Sequence, residues 1–365
     1  MALFSQSRLH LTVDIGTALV SGMIWREYAG AFAKNKKPDI LEVVRTPLTG
    51  NVSRSLVTAL NVFFQKTKEA LGGHDPATIT IGLAAPYYRG ETVWARASFA
   101  KPTPVSPAMA AKLFEEKETE ERTSLGEGEE LFGHDILAVF LNGYPVGKDP
   151  KGRIATQLDE AIRLSVWRSA FKKQLDRLLE EHFSHASIRI TTFPVAYGEL
   201  FHQIPHFTRE ATVIDIGGGV TECSFFEEGI LEEVLTIPQG SDLWLARIAE
   251  HERIPRDEVI SWIRENKRFD QLLAGYLAEW SALLRPVIAA KMLTQPARHF
   301  FLVGGGALLP QTNASFAALL QTFQFGSHAD VHALSAETFR DRFGQWPPSL
   351  LSFLDISLLA LWNIT

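Results

Sequence analysis

The chain has 365 residues, a formal net charge of −6, and 46% hydrophobic against 21% charged residues. That length exceeds what one simple core serves and implies two lobes or more. The acidic balance argues against nucleic acid as the main partner, which would call for a basic face. A single cysteine, Cys223, excludes an internal disulfide and fits a reducing compartment. Residues 1–8 lack the long apolar core of a signal peptide, so a cytoplasmic protein is expected.

Taken in chain order, 9–14 and 18–25 predict the strands of a hairpin, and 41–45 a third strand. Leu56, Leu60, Phe63 and Leu71 recur at helical spacing and predict a helix over 53–71. The compact apolar run 78–84 suits a buried strand. A different pattern then fills 86–167: a strand over 93–100, a helix over 107–117 capped by Ser106, and an acidic stretch, 115–130, that reads as a solvated loop. Strands over 136–141 and 154–167 follow, with a turn at Asn142-Gly143. Helices are expected over 169–182 and 194–202, with a strand over 186–190 between them. From Ala211 the opening pattern returns: a strand, a glycine turn, a second strand over 223–226, a turn near Gly229 and a partner strand over 232–237. The stretch 243–290 reads as mostly helical, broken at Pro255 and Pro286. A strand over 300–303 and helices over 314–323 and 349–362 complete the chain.

The strongest signal is a repeat. Leu11-Thr12-Val13-Asp14-Ile15-Gly16-Thr17-Ala18 is echoed by Thr212-Val213-Ile214-Asp215-Ile216-Gly217-Gly218-Gly219, each an apolar strand that delivers a carboxylate into a glycine turn. A third glycine element, Val303-Gly304-Gly305-Gly306-Ala307, comes later. A nucleoside triphosphate needs backbone amides aimed at its oxygens and a divalent ion to offset its charge. Tight glycine turns at Gly16-Thr17-Ala18 and Gly217-Gly218-Gly219 present converging amides. Asp14 and Asp215 are placed to hold the waters of a hydrated Mg²⁺, an ion that keeps most of them. Thr17 and Thr221 are expected to add hydroxyl donors, and Gly304, Gly305 and Gly306 to leave room for ribose or adenine. One such turn is ordinary punctuation; three in this order, with the acid repeated, point to a duplicated domain that closes on ATP or ADP.

These motifs resemble the actin, Hsp70 and sugar-kinase superfamily: Asp14-Ile15-Gly16-Thr17-Ala18 its first phosphate motif, Asp215-Ile216-Gly217-Gly218-Gly219 its second, and Val303-Gly304-Gly305-Gly306-Ala307-Leu308-Leu309-Pro310 its adenosine motif. Within it the likeness is to the FtsA/PilM branch, where a small subdomain interrupts the first lobe after its first four strands. Tyr144-Pro145-Val146, the stretch up to Gly152, and Ile237-Pro238-Gln239-Gly240 add to that likeness. The resemblance implies an α/β fold of two actin-like, ribonuclease H-like lobes around a nucleotide cleft, with a small α+β subdomain inserted in the first. The implied division is 1–85 and 168–210 for the first lobe, 86–167 for the insert, 211–345 for the second lobe, and 346–365 for a C-terminal helix returning to the first. It also implies a scaffold of FtsA type in bacterial cell division, peripheral at the inner membrane, or a PilM-like partner of a type IV pilus machine. Partners would be division or pilus proteins, or further copies of the chain. The same fold also admits a small-molecule kinase and a degenerate, non-hydrolysing interaction module.

Several positions depart from that branch. Leu19 stands where a lysine is common, and Val220 and Glu222 replace a threonine and an aspartate. Around 192–196 no glutamate or glutamine is available to position an attacking water, and Glu199, a turn further on, is a weak substitute. The expectation is nucleotide binding with at most slow hydrolysis. Gly143 to Asp149 is one residue short of a P-loop and lacks its hydroxyl residue, so it reads as a hairpin turn. His182, His185, His202 and His206 lack the carboxylate pattern of a zinc site. The C-terminal stretch 349–362 has no basic residue and no amphipathic asymmetry, so it reads as a core helix rather than a lipid anchor, and membrane contact is expected to be indirect.

Overall fold

The computed structural model describes residues 7–28, 38–48, 52–148, 150–202, 204, 207, 210–266, 269–294, 298–323, 329–339, 343 and 355–365. The first sheet has the order β3-β2-β1-β4-β9, built from β1 (Ser7–Ile15), β2 (Leu19–Tyr28), β3 (Asp39–Pro47), β4 (Thr78–Leu83) and β9 (Ser187–Thr192). The second has the order β12-β11-β10-β13-β14, built from β10 (Glu210–Ile216), β11 (Thr221–Glu227), β12 (Ile230–Ile237), β13 (His299–Val303) and β14 (Asp330–Ala333). In both, a first strand pairs antiparallel with the second, the second antiparallel with the third, and two parallel strands extend the other side. The repeated sequence is thus a repeated topology. It places Asp14 and Asp215 near the C-terminal ends of equivalent strands.

Nine helices lie among the described residues. α1 (Val52–Ala70) and α3 (Ser169–His182) cover the outer face of the first sheet, where Leu60, Phe63, Phe64 and Leu175 meet Leu11, Val13 and Ile81. α5 (Ser241–Glu252), α6 (Arg256–Asn266), α7 (Asp270–Thr294) and α8 (Pro310–Gln321) cover the outer face of the second, around Trp244, Trp280 and Phe316. Between the sheets lie α4 (Phe193–Phe201) and the C-terminal helix α9 (Ile356–Ile364). Their core joins Met23 and Trp25 of β2 to Val213, Phe226 and Phe301 of the second sheet. α9 is buried from Ile356 to Trp362, so its all-round apolarity is that of a core helix. The part of the predicted helix over 349–354 lies outside the described residues.

The stretch after β4 forms a third sheet, β5-β8-β6-β7, from β5 (Tyr88–Pro104), β6 (Glu129–Leu141), β7 (Tyr144–Pro145) and β8 (Ile154–Arg168), packed against α2 (Pro107–Ser124). Asn142 and Gly143 make the β6–β7 turn with φ of 52° and 83°. Ser106 caps α2 by accepting from the Met109 amide at 3.3 Å. The structure corrects the expected acidic loop: α2 runs on to Ser124. Ion pairs one helical turn apart, Lys112–Glu116 and Arg122–Glu118, hold it, and Arg89 takes Glu121 at 3.3 Å. Pro286 does not break α7 either. Leu273, Leu277, Trp280, Leu284, Ile288 and Met292 form one buried stripe whose packing outweighs a lost backbone bond. By length and composition alone α7 would also suit a membrane crossing.

Because α9 packs on the first sheet and on α4 within the core that both sheets share, truncating it will be felt by the whole molecule. Leu359 is fully buried in the shared core. Leu359→Ala is expected to cost about 2–5 kcal/mol in urea unfolding. A loss well under 1 kcal/mol would show that α9 is not packed between the sheets.

Candidate functional site

The two glycine turns meet. The Gly219 amide donates to Thr17 Oγ1 at 2.8 Å across the gap between the sheets. A Cβ built on Gly218 would lie 2.3 Å from Ala18 Cβ, so only glycine admits this approach. Behind the turns, α5 anchors the second: the Ser241 and Asp242 amides donate to the Gly217 and Gly218 carbonyls, each at 2.9 Å. Gly240 must be glycine for the same reason, its built Cβ lying 2.4 Å from both carbonyl oxygens. Gly16 closes the first hairpin, its amide donating to the Leu19 carbonyl at 3.2 Å.

The two acids lie under this contact. Asp14 Oδ2 accepts from Ser357 Oγ at 2.6 Å, and Asp215 Oδ2 from Tyr197 Oη at 2.8 Å. Asp355, at the start of α9, adds a third carboxylate, held by Arg45 at 2.7 Å. Burial pushes Asp14 up to about 8; the Ser357 hydroxyl opposes this, and the negative charges of Asp355 and Asp215 add to it. Asp215 is pushed up to about 6, again by burial, opposed by Tyr197 and raised by Asp355. Acids in this state are poised to receive a cation, whose charge would favour both ionised forms.

The third glycine element joins them. Gly304 has φ of 85°, and a Cβ there would lie 2.3 Å from Asp215 Oδ1. Gly306 presses on the Ile216 side chain, while Gly305 is exposed with nothing within 4 Å of its built Cβ. The structure therefore brings together Asp14, Thr17, Ala18, Asp215, Gly217, Gly218, Gly219 and Gly304. Gly305 leaves the open space expected there; Gly304 and Gly306 serve close packing instead.

Two expected site residues are not part of it. Thr221 is buried with its hydroxyl turned inward, donating to the Gln239 carbonyl at 2.8 Å and accepting from Trp280 Nε1 at 3.0 Å. It holds the second hairpin to α7 rather than facing the turns. Glu199 is ion-paired with Lys148 of the inserted subdomain, which occupies the carboxylate that would otherwise position a water. Of the four histidines without a zinc pattern, His206 lies outside the described residues.

Other contributors were not visible in the sequence. Tyr197 reaches Asp215 because α4 runs between the sheets, and Ser357 reaches Asp14 across 343 positions. Asp242 packs against Gly218 and pairs with Arg256, which puts a guanidinium at the rim of the second turn. Glu222, in the sequence only a departure from the family pattern, ties the second lobe to the first. Its carboxylate accepts from Tyr88 Oη at 2.6 Å and from the Ala85 amide at 3.0 Å. Burial raises it to about 7, and the positive charge of the buried Arg163 opposes that rise.

No family model and no curated protein sequence matches the chain. Among solved structures, the PilM–PilN type IV pilus biogenesis complex aligns over 98% of this chain and 98% of that one, at 14% identity and a TM-score of 0.66. MreB5 of Spiroplasma citri bound to AMPPNP aligns over 98% and 95%, at 11% identity and 0.48. The ethanolamine utilization protein EutJ of Carboxydothermus hydrogenoformans aligns over 91% and 85%, at 13% and 0.46. The fold is actin-like, two duplicated sheets matched over nearly the whole chain by the PilM complex. At this level of identity the match with the PilM complex is a match of architecture, across almost the whole of both chains.

The enclosed acids give a test with a definite sign. A carboxyl raised in the fold binds a proton that the unfolded chain has already released, so its contribution falls as pH rises from about 4 towards 8. Asp14→Asn removes that penalty and keeps an acceptor for Ser357. At pH 8 the variant is expected to exceed the wild type in urea unfolding by on the order of 1–3 kcal/mol, with a smaller gap at pH 6. A variant less stable than the wild type at pH 8 would contradict the charge assignment.

Proposed function

We propose that the chain is an actin-fold scaffold of PilM type that binds ATP or ADP with Mg²⁺ between its lobes and turns it over slowly or not at all. The meeting of Asp14 and Asp215 beneath two glycine turns carries this reading. Mg²⁺ held there would offset the charge of the acids and of the phosphates. Asp14 and Asp215 would hold its waters, the amides at 17–18 and 217–219 would meet the phosphates, and the open side of Gly305 would face the nucleoside. Opening the turns to admit a triphosphate would break the Thr17–Gly219 hydrogen bond, so binding would change the separation of the lobes. The insert would report that change, since Glu222 and the Thr92–Leu231 hydrogen bond couple its root to the second lobe.

Support for slow turnover comes from α4. Tyr197 is engaged by Asp215 and Glu199 by Lys148, which leaves the first helical turn apolar. The same feature weighs against a small-molecule kinase, which needs a carboxylate base at the transferred phosphate. A pilus role, with a PilN-like membrane protein as partner and location at the inner face of the membrane through it, is preferred to FtsA-type cell division on the whole-chain architectural match. The direct contact of Ala18 with Gly218 favours one second reading, an interaction module whose cleft no longer opens.

Thermal melting separates these. Saturating Mg-ATP is expected to stabilise the wild type, by about 2.7 kcal/mol at a hundred times Kd, and to leave Asp215→Ala unmoved, with phosphate release at background. No shift for the wild type favours the closed module; rapid release abolished in Asp215→Ala would refute the scaffold without turnover.

A further inference from the structure

The second sheet carries a side-chain cluster that the nucleotide cleft does not use. β13 and β14 pair in parallel, with His299 opposite Asp330 and Phe301 opposite His332. Alternate residues of a strand share a face, so Asp330 and His332 point the same way, towards the side on which Phe301 and Leu334 enter the shared core. The two imidazoles lie with ring centroids 5.9 Å apart, and His332 also stacks on Phe301 at 5.1 Å. One donor atom from each of His299, Asp330 and His332 lies within 4.8 Å of the other two. His299 Nδ1 and the Asp330 carboxylate are 3.7 Å apart.

We propose that His299, Asp330 and His332 form a transition-metal site that takes Zn²⁺, with water as the fourth ligand. Two imidazoles and one carboxylate are a donor set that zinc accepts, and a three-ligand site leaves one tetrahedral position for water. Bond lengths of about 2.1 Å would place the donors roughly 3.4 Å from one another. The cluster is thus a short side-chain rotation from coordination, and Asp330, mostly exposed, is free to make it. A second observation points the same way: His332 Nε2 is buried and makes no hydrogen bond among the described residues. A buried ring nitrogen without a partner is costly unless something binds it. Solvent reaches the cluster through the Asp330 side, which gives the ion an entry path.

The ion would clip β14 to β13. β14 is a four-residue strand at the end of the described sheet, and its C-terminal continuation carries Leu334, Ala336 and Phe339 into the core that α4 and α9 share. A metal holding His299 and His332 together would pin that edge where few backbone bonds do so. The role is structural and independent of the nucleotide reading.

The test titrates the tag-free full chain at neutral pH with ZnCl₂ by calorimetry, with Co²⁺ absorption to report tetrahedral coordination. About one ion per chain is expected, with a rise in melting temperature. Affinity is expected to fall by more than roughly tenfold in both D330N and H332Q. D330N alters a mostly exposed side chain, so it keeps the test decisive should H332Q fold poorly. Absence of stoichiometric binding, or wild-type affinity retained in D330N or in a folded H332Q, overturns the site.

Discussion

The contact between Thr17 and Gly219 organises the molecule, because there the glycine turns of the two sheets meet, a backbone amide donating to a side-chain hydroxyl. It requires glycine at 218, where the opposing Ala18 leaves no room for a Cβ, and at 240, where α5 holds the turn from behind. The acids beneath inherit their behaviour from it. Buried beside Asp355, whose carboxylate Arg45 holds, Asp14 and Asp215 keep their protons to a higher pH than exposed acids do.

The lobes are also coupled away from the turns. Glu222 spans from the second hairpin to the root of the insert, and α9 fills the space between the sheets with apolar residues on every side. These links differ physically. The helix contributes buried area, which is non-directional and tolerates small shifts. The Glu222 hydrogen bonds and the turn contact are directional and break over a short movement. A change of lobe angle would therefore keep the core and switch the polar contacts.

Much of this architecture was legible along the chain. The echo of Leu11–Ala18 in Thr212–Gly219 foretold a duplicated sheet, since strand, acid and glycine turn are local features set by period-two patterning and backbone sterics. The acidic run 115–130 misled because charge reads as solvent, whereas pairs one helical turn apart stabilise α2 up to Ser124. Pro286 misled because local propensity was weighed without the buried stripe that overrides it. β14 was not foreseen, because four residues are too few for their alternation to stand out.

At the site the division is sharper. The sequence by itself determined which residues have the chemistry, Asp14 and Asp215 with their glycines, because a strand ending in an acid and a tight turn is encoded within eight positions. Only the tertiary structure decided what those residues meet. Tyr197, Ser357, Arg45 and Asp355 come to the acids from α4, the C-terminus and an edge strand, and Thr221 turns away from them. Contacts across hundreds of residues depend on how helices pack between sheets, and no local pattern records that.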